Sequence, residues 1–187
     1  MPTRQTTKMA EVDRQIERLV EAAKRAIVRR LAIIGEMCVN KARSLPGPSL
    51  TVFWDSEKGQ PLRSIPKHTP GYIDWTANLR SSIGYVIVVD GEIAKMSTFE
   101  PVKGMDGDGT QGAQEGKAFA ERLVAEYPHG IVLIVVAGMK YAEYVQRKGY
   151  DVTVSAELLA EQLLEQFGIK SKTKPIDGSK DSQRDTG

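Results

Sequence analysis

From Glu11 to Asn40 the apolar residues fall at Val12, Ile16, Leu19, Val20, Ala23, Ile27, Leu31, Ile34 and Cys38. Spacings of three and four draw one stripe, which predicts a long amphipathic helix of roughly eight turns. No proline interrupts it. Gly35 costs about 1 kcal/mol against alanine within a helix and marks the place for a kink. Arg14, Arg18, Arg25 and Arg29 share the opposite face. Residues 1–10 are polar and are expected to fray. Cys38 lies on the apolar stripe and reads as a core thiol.

The pattern then breaks. Residues 45–71 hold five prolines and three glycines, which predicts an extended arm with a short strand at Leu50–Trp54. Asp74 or Thr76 can cap a short helix over Asn78–Ser82, with Gly84 as its stop. Tyr85–Val89 is rich in β-formers, Asp90-Gly91 is a two-residue hairpin turn, and Glu92–Phe99 is the returning strand. Lys103–Gly116 reads as a glycine-rich loop, and Gly116–Tyr127 carries Phe119, Leu123 and Val124 at helical spacing. Ile131–Val136 is wholly apolar and predicts a strand covered on both faces. Met139–Lys148 is a short helix ending at Gly149. A last helix is capped by Asp151 or Ser155, shows Leu159, Leu163, Gln166 and Phe167 along one side, and stops at Gly168. Beyond it, 169–187 is polar and expected to be disordered. These elements make an α+β domain over residues 11–168. The long N-terminal helix lies across a small, mainly antiparallel sheet of three or four strands, with short helices and a C-terminal helix.

Composition narrows the chemistry. At 187 residues the chain suits one domain, and 41% apolar with 27% charged residues is ordinary for a globular protein. The longest apolar run, 131–137, falls far short of the ~20 residues of a membrane span, and the N-terminus lacks the apolar core of a secretory signal. No membrane partner is expected. One cysteine allows neither an internal disulfide nor a cysteine-based zinc site. Residues 1–83 carry 14 basic and 8 acidic side chains, and residues 84–187 carry 12 and 16. That asymmetry would suit head-to-tail stacking in a ring, or it is a chance partition of solvated charge.

Gly107, Gly109 and Gly112 spell G-x-G-x-x-G, but no strand ends at the first glycine and no carboxylate closes the next strand, so a dinucleotide site is not expected. Asp106 and Asp108 offer calcium ligands, yet position twelve from Asp106 is Lys117 where an EF-hand needs glutamate. His68 and His129 stand alone in loops, and Ser81 and Ser82 lack the G-x-S-x-G frame. No catalytic residue, cofactor or metal is therefore assigned. Arg14, Arg18, Arg25 and Arg29 remain as a face for DNA or a protein partner, against the reading of a solvated face in which Glu21 supports Arg25. Tyr72, Trp75, Tyr141, Tyr144 and Tyr150 cluster beside turns, as interface or core-edge aromatics.

Two segments carry a resemblance. Asp74, Thr76, Leu79, Arg80, Ser82 and Ile83 follow the pattern D-T-G-x-L-R-x-S-I, with one extra residue after the aspartate and Ala77 where the pattern has glycine. Tyr141, Ala142, Tyr144 and Val145 follow Y-A-x-Y/F-V-E-x-G, with Gln146 for the glutamate and a later glycine, Gly149. Their order, between a long helix and a closing helix, resembles the small neck or tail-completion (head–tail joining) proteins of long-tailed bacteriophages, over roughly residues 11–167. The 45–71 arm and the 103–127 loop-helix look longer than that family's connections, and its Pro-Phe-Leu near the last helix is replaced by Val152–Ala156. The resemblance implies a structural virion protein without enzymatic activity. It would form a homo-oligomeric ring between head connector and tail, in the virion and, during assembly, in the host cytoplasm. The implied partners are other copies of itself, the head connector or adaptor, the tail terminator or tail tube proteins, and DNA in the channel. The motif residues would act structurally. Arg80 would suit the C-terminal dipole of its short helix and fork to a carboxylate such as Asp74, and Tyr141 and Tyr144 would fix their helix on the sheet. The alternative is a nucleic-acid-binding module that uses the arginine face.

Overall fold

The computed structural model describes residues 3–45, 51–55, 60–64 and 72–170. The remaining parts of the 45–71 arm, with His68, and most of the 169–187 tail lie outside the described residues. The architecture is α+β, with a long N-terminal helix, a three-stranded antiparallel sheet and several shorter helices.

The first helix, α1 (Thr3–Arg43), is longer than the stripe predicts and already includes residues expected to fray. It runs through Gly35 as one element. The ring of Tyr85 lies against that glycine, where a Cβ would stand 2.7 Å from Cγ of the ring. The glycine therefore serves close approach, and its helix cost is offset by an aromatic ring packed on bare backbone. Two strands of the arm, β1 (Thr51–Asp55) and β2 (Gln60–Ser64), pair antiparallel, so the single short strand expected there has a partner.

The main sheet has the order β4-β3-β5. Its centre is β3 (Ile83–Val89), joined through Asp90-Gly91 to β4 (Glu92–Met96), with a bulge between Ile87 and Val88. The hairpin turn falls where the Asp-Gly pair places it, and both residues have positive φ. Gly84 does not end the preceding helix. It sits inside β3 beneath the Phe99 ring, and the predicted return strand stops at Met96, before Phe99 turns inward at φ 48°.

Strand β5 (Ile131–Ala137) pairs with the other side of β3. It is an edge strand, yet both its faces are covered. Ile131, Leu133 and Val135 meet α1 and α5 (Val154–Gln166), as do Tyr85 and Ile87 of β3. Val132, Ile134 and Val136 meet α3 (Thr110–Leu123), as do Val86 and Val88. The period of two thus divides one apolar strand between two cores. Helix α3 begins six residues earlier than the expected Gly116, so Gly112 belongs to the helix and not to a loop. A 3-10 turn, Val124–Glu126, follows it.

In the C-terminal region, α4 (Ala142–Arg147) ends before Gly149, which adopts φ 89°. Asp151 holds the start of α5 by accepting the Ser155 backbone N–H at 3.1 Å. Gly168 closes α5, with the Ile169 N–H returned to the Leu164 carbonyl. Leu159 and Leu163 face the core as expected, whereas Gln166 and Phe167 are exposed. Cys38 is fully buried and donates to the Ala156 carbonyl at 3.3 Å; burial pushes its pKa up to about 11.

Candidate functional site

The two motif segments, about sixty residues apart in sequence, meet at one end of the sheet. The first contains α2 (Asn78–Ser81), and the second leads into α4. Tyr72, Leu79, Met139, Ala142 and Val152 form a small apolar cluster between them, joined by Val145. Asp74 is nearly buried, and its carboxylate lies 2.8 Å from Nε of Arg80. Burial raises the Asp74 pKa, and the Arg80 guanidinium and backbone N–H work against that rise. Arg80 also donates through Nη2 to the Lys103 carbonyl at 3.2 Å. One cation therefore holds the motif to itself and to the glycine-rich segment.

Capping differs from expectation. Thr76 Oγ1 does accept the N–H of Asn78, the first helical residue, at 3.4 Å, but the N-cap position of α2 is Ala77, with φ 59° and ψ 6°. It is the place where the pattern D-T-G-x-L-R-x-S-I carries glycine. A left-handed conformation costs an L-residue roughly 1–2 kcal/mol, which glycine avoids.

Ser81 and Ser82 are fully buried. Ser82 Oγ donates back to the Leu79 carbonyl at 2.8 Å, and Ser81 Oγ accepts the Val102 N–H at 2.9 Å. One hydroxyl satisfies a carbonyl of α2 and the other an amide of the segment after β4. Ile83 opens β3, and its carbonyl accepts from Nη2 of Arg43 at 2.9 Å.

Tyr141 is partly exposed and reaches the Thr76 side chain and the Leu79 backbone; burial and the nearby Asp74 raise its pKa. Tyr144 points outward, 60% exposed, with Lys148 Nζ 5.3 Å from its ring centre. The expectation that both tyrosines pin α4 to the sheet is corrected. Ala142 and Val145 make the apolar contact, because the rotation of α4 turns Tyr144 to solvent.

The glycine-rich segment has a different use from the one its letters suggest. A Cβ on Gly112 would lie 2.0 Å from the Asn78 carbonyl oxygen, and one on Gly116 would lie 2.5 Å from that of Ser82. A Cβ on Gly138 would meet Cα of Gly116 at 2.4 Å. These glycines let α3 touch the backbone of α2 and the end of β5. The Gly112 N–H, in the first turn of α3, donates to Asn78 Oδ1 at 3.2 Å, and the Thr110 N–H donates to Asp108 Oδ1 at 2.9 Å. The first turn is thereby filled by the protein's own acceptors. Sequence reasoning missed this seam; the four-residue spacing of Gly112 and Gly116 was its signal.

Among the described residues, no group of three or more histidine, cysteine, aspartate or glutamate side chains converges as a metal site. His129 is exposed beside the hairpin turn, where Asp90 accepts from Gly130 N–H and from Lys24 of α1, at 2.9 and 2.8 Å. Arg14, Arg18, Arg25 and Arg29 are all exposed on α1, and Glu11 lies 3.7 Å from Arg14.

The second feature of the site region is the outer half of α1. Every residue from Met9 to Ala23 is exposed, including Met9 at 69% and Leu19 at 70%. No helix among the described residues is long and apolar enough to cross a membrane. Comparison with protein-family models, curated proteins and solved structures finds no match.

Proposed function

We propose that this chain is a structural virion protein, a neck or tail-completion component that forms a homo-oligomeric ring between head connector and tail. The observation that carries the reading is the junction itself. Leu79 of one motif meets Ala142 and Val145 of the other, and Asp74, Arg80 and Ser82 make internal contacts beside them. That is the behaviour of motifs that define a scaffold. The scaffold leaves a long helical face and several aromatic side chains to solvent, as a ring subunit that binds copies and neighbouring rings requires. The connector, the tail terminator or tube, and channel DNA would be its neighbours.

Electron microscopy of particles produced without this protein tests the proposal. Filled heads accumulating beside free tails are expected. Complete, normal virions would overturn it.

The rival reading is a nucleic-acid-binding module, favoured by the exposure of Arg14, Arg18, Arg25 and Arg29 on one helix. Interleaved Glu11, Glu17 and Glu21 weaken it. It requires duplex DNA affinity that falls steeply with salt and drops in an Arg18→Glu, Arg25→Glu variant.

A further inference from the structure

We infer that the Met9–Ala26 face of α1 is the contact between copies of this chain, and that its occupant is the same segment of a second copy. The inference rests on the ring reading and names the surface that would build it. Met9, Val12, Ile16, Leu19, Ala23 and Ala26 recur at intervals of three and four, the seam of a helix packed on another helix. No charged residue interrupts that seam, and Val20 widens it. Val12 and Ile16 are 53% exposed, Leu19 is 70% exposed, and no described residue of the same copy buries the face.

The seam continues into the stripe Ile27, Leu31, Ile34 and Cys38, which α5 and the sheet cover. Ala156, in the first turn of α5, accepts from Cys38, and Leu164, near its end, belongs to the same cluster as Ile27 and Val28. The burial ends at Ile27: of residues 9–26 all but Lys24 are exposed. Beyond that point about 27 Å of helix, eighteen residues at 1.5 Å each, has no apolar packing among the described residues, and Lys24 alone reaches across to the sheet, at Asp90. A helix in water draws most of its stability from a packed apolar face, so this segment needs a partner.

Charge selects the partner. Residues 9–26 hold four acids, Glu11, Asp13, Glu17 and Glu21, against four bases, Arg14, Arg18, Lys24 and Arg25. Glu11–Arg14 and Glu21–Lys24 pair within the helix. A balanced segment neither repels its own copy nor gathers phosphates. The chain's own C-terminal residues, 171–187, hold one large apolar residue, Ile176, against a seam of six positions.

The test is the mass of the full-length protein in solution over a range of concentration, by light scattering on a sizing column, with near-ultraviolet circular dichroism to check the fold. The wild type is expected to assemble. The Ile16→Glu, Leu19→Glu variant is expected to run as a monomer with unchanged dichroism, and Leu19→Ala to associate about ten-fold more weakly. Leu158→Glu, on the exposed side of α5, is expected to assemble like the wild type. A glutamate pair that still assembles overturns this surface and leaves the ring reading standing. A wild type that is monomeric at every concentration overturns both.

Discussion

Residues 27–42 and residues 9–26 of α1 carry the same apolar rhythm in opposite surroundings. In the first stretch Leu31, Ile34, Cys38 and Val39 are buried against β3, β5 and α5. In the second, Val12, Ile16 and Leu19 face water. Hydrophobic periodicity states that a face is destined for burial; it does not state whether this chain or another supplies the cover. The difference follows from where the cover lies: β3, β5 and α5 pack on residues 27–42, and the forty-one residues of α1 extend past all three.

The sharpest way to break the comparison is to truncate one residue in each stretch. Ile34→Ala, at a site with no exposed surface, should lower the unfolding free energy by about 2–5 kcal/mol in urea titrations. Leu19→Ala, measured where the chain is monomeric, should change it by less than about 0.5 kcal/mol. Equal effects would mean that residues 9–26 are packed within one copy.

The glycine seam supplies the next effect. Gly116→Val should cost about 1–3 kcal/mol, because its Cβ would stand 2.5 Å from the Ser82 carbonyl oxygen. Gln114→Val, exposed on the same helix, should stay within about 0.5 kcal/mol by the same titration.

The Asp74–Arg80 pair gives a pH-dependent effect. Burial holds the Asp74 pKa above its ordinary value, so its contribution to stability is full below the unfolded carboxylate pKa and is lost as pH rises through the folded one. Arg80→Met removes the cation that opposes this rise and leaves a buried carboxyl. The variant should lose roughly 1–3 kcal/mol at pH 7 and recover part of that loss near pH 4.5. A pH-independent deficit would show that Arg80 acts through packing and its Lys103 contact alone.

The smallest effect compares two buried alanines. Ala42→Gly, in regular helix, should cost about 1 kcal/mol. Ala77→Gly should be near neutral in thermal unfolding, because relief of its left-handed strain, roughly 1–2 kcal/mol, offsets the lost methyl and the added chain entropy.

Much of the fold was legible because its signals are local. The stripe from Val12 to Cys38 set the long helix, Asp90-Gly91 set the hairpin, and Gly149 and Gly168 ended their helices. The Asp74–Arg80 pairing was anticipated from charge and helix position. The errors lie where distant segments decide a residue's role. Gly84 looked like a helix stop and is a seat for Phe99, and Gly116 looked like the start of a helix and lies in its middle. Tyr144 looked like an anchor and faces solvent.

By itself, then, the sequence determined periodicity, turns and an α+β class, since these depend on φ, ψ preferences and on which face of each element is apolar. The tertiary structure alone decided which apolar faces find cover, why glycines 112, 116 and 138 carry no side chain, and that the two motifs converge. Those outcomes depend on the distance between backbones far apart in the chain, and no spacing within one segment encodes that distance.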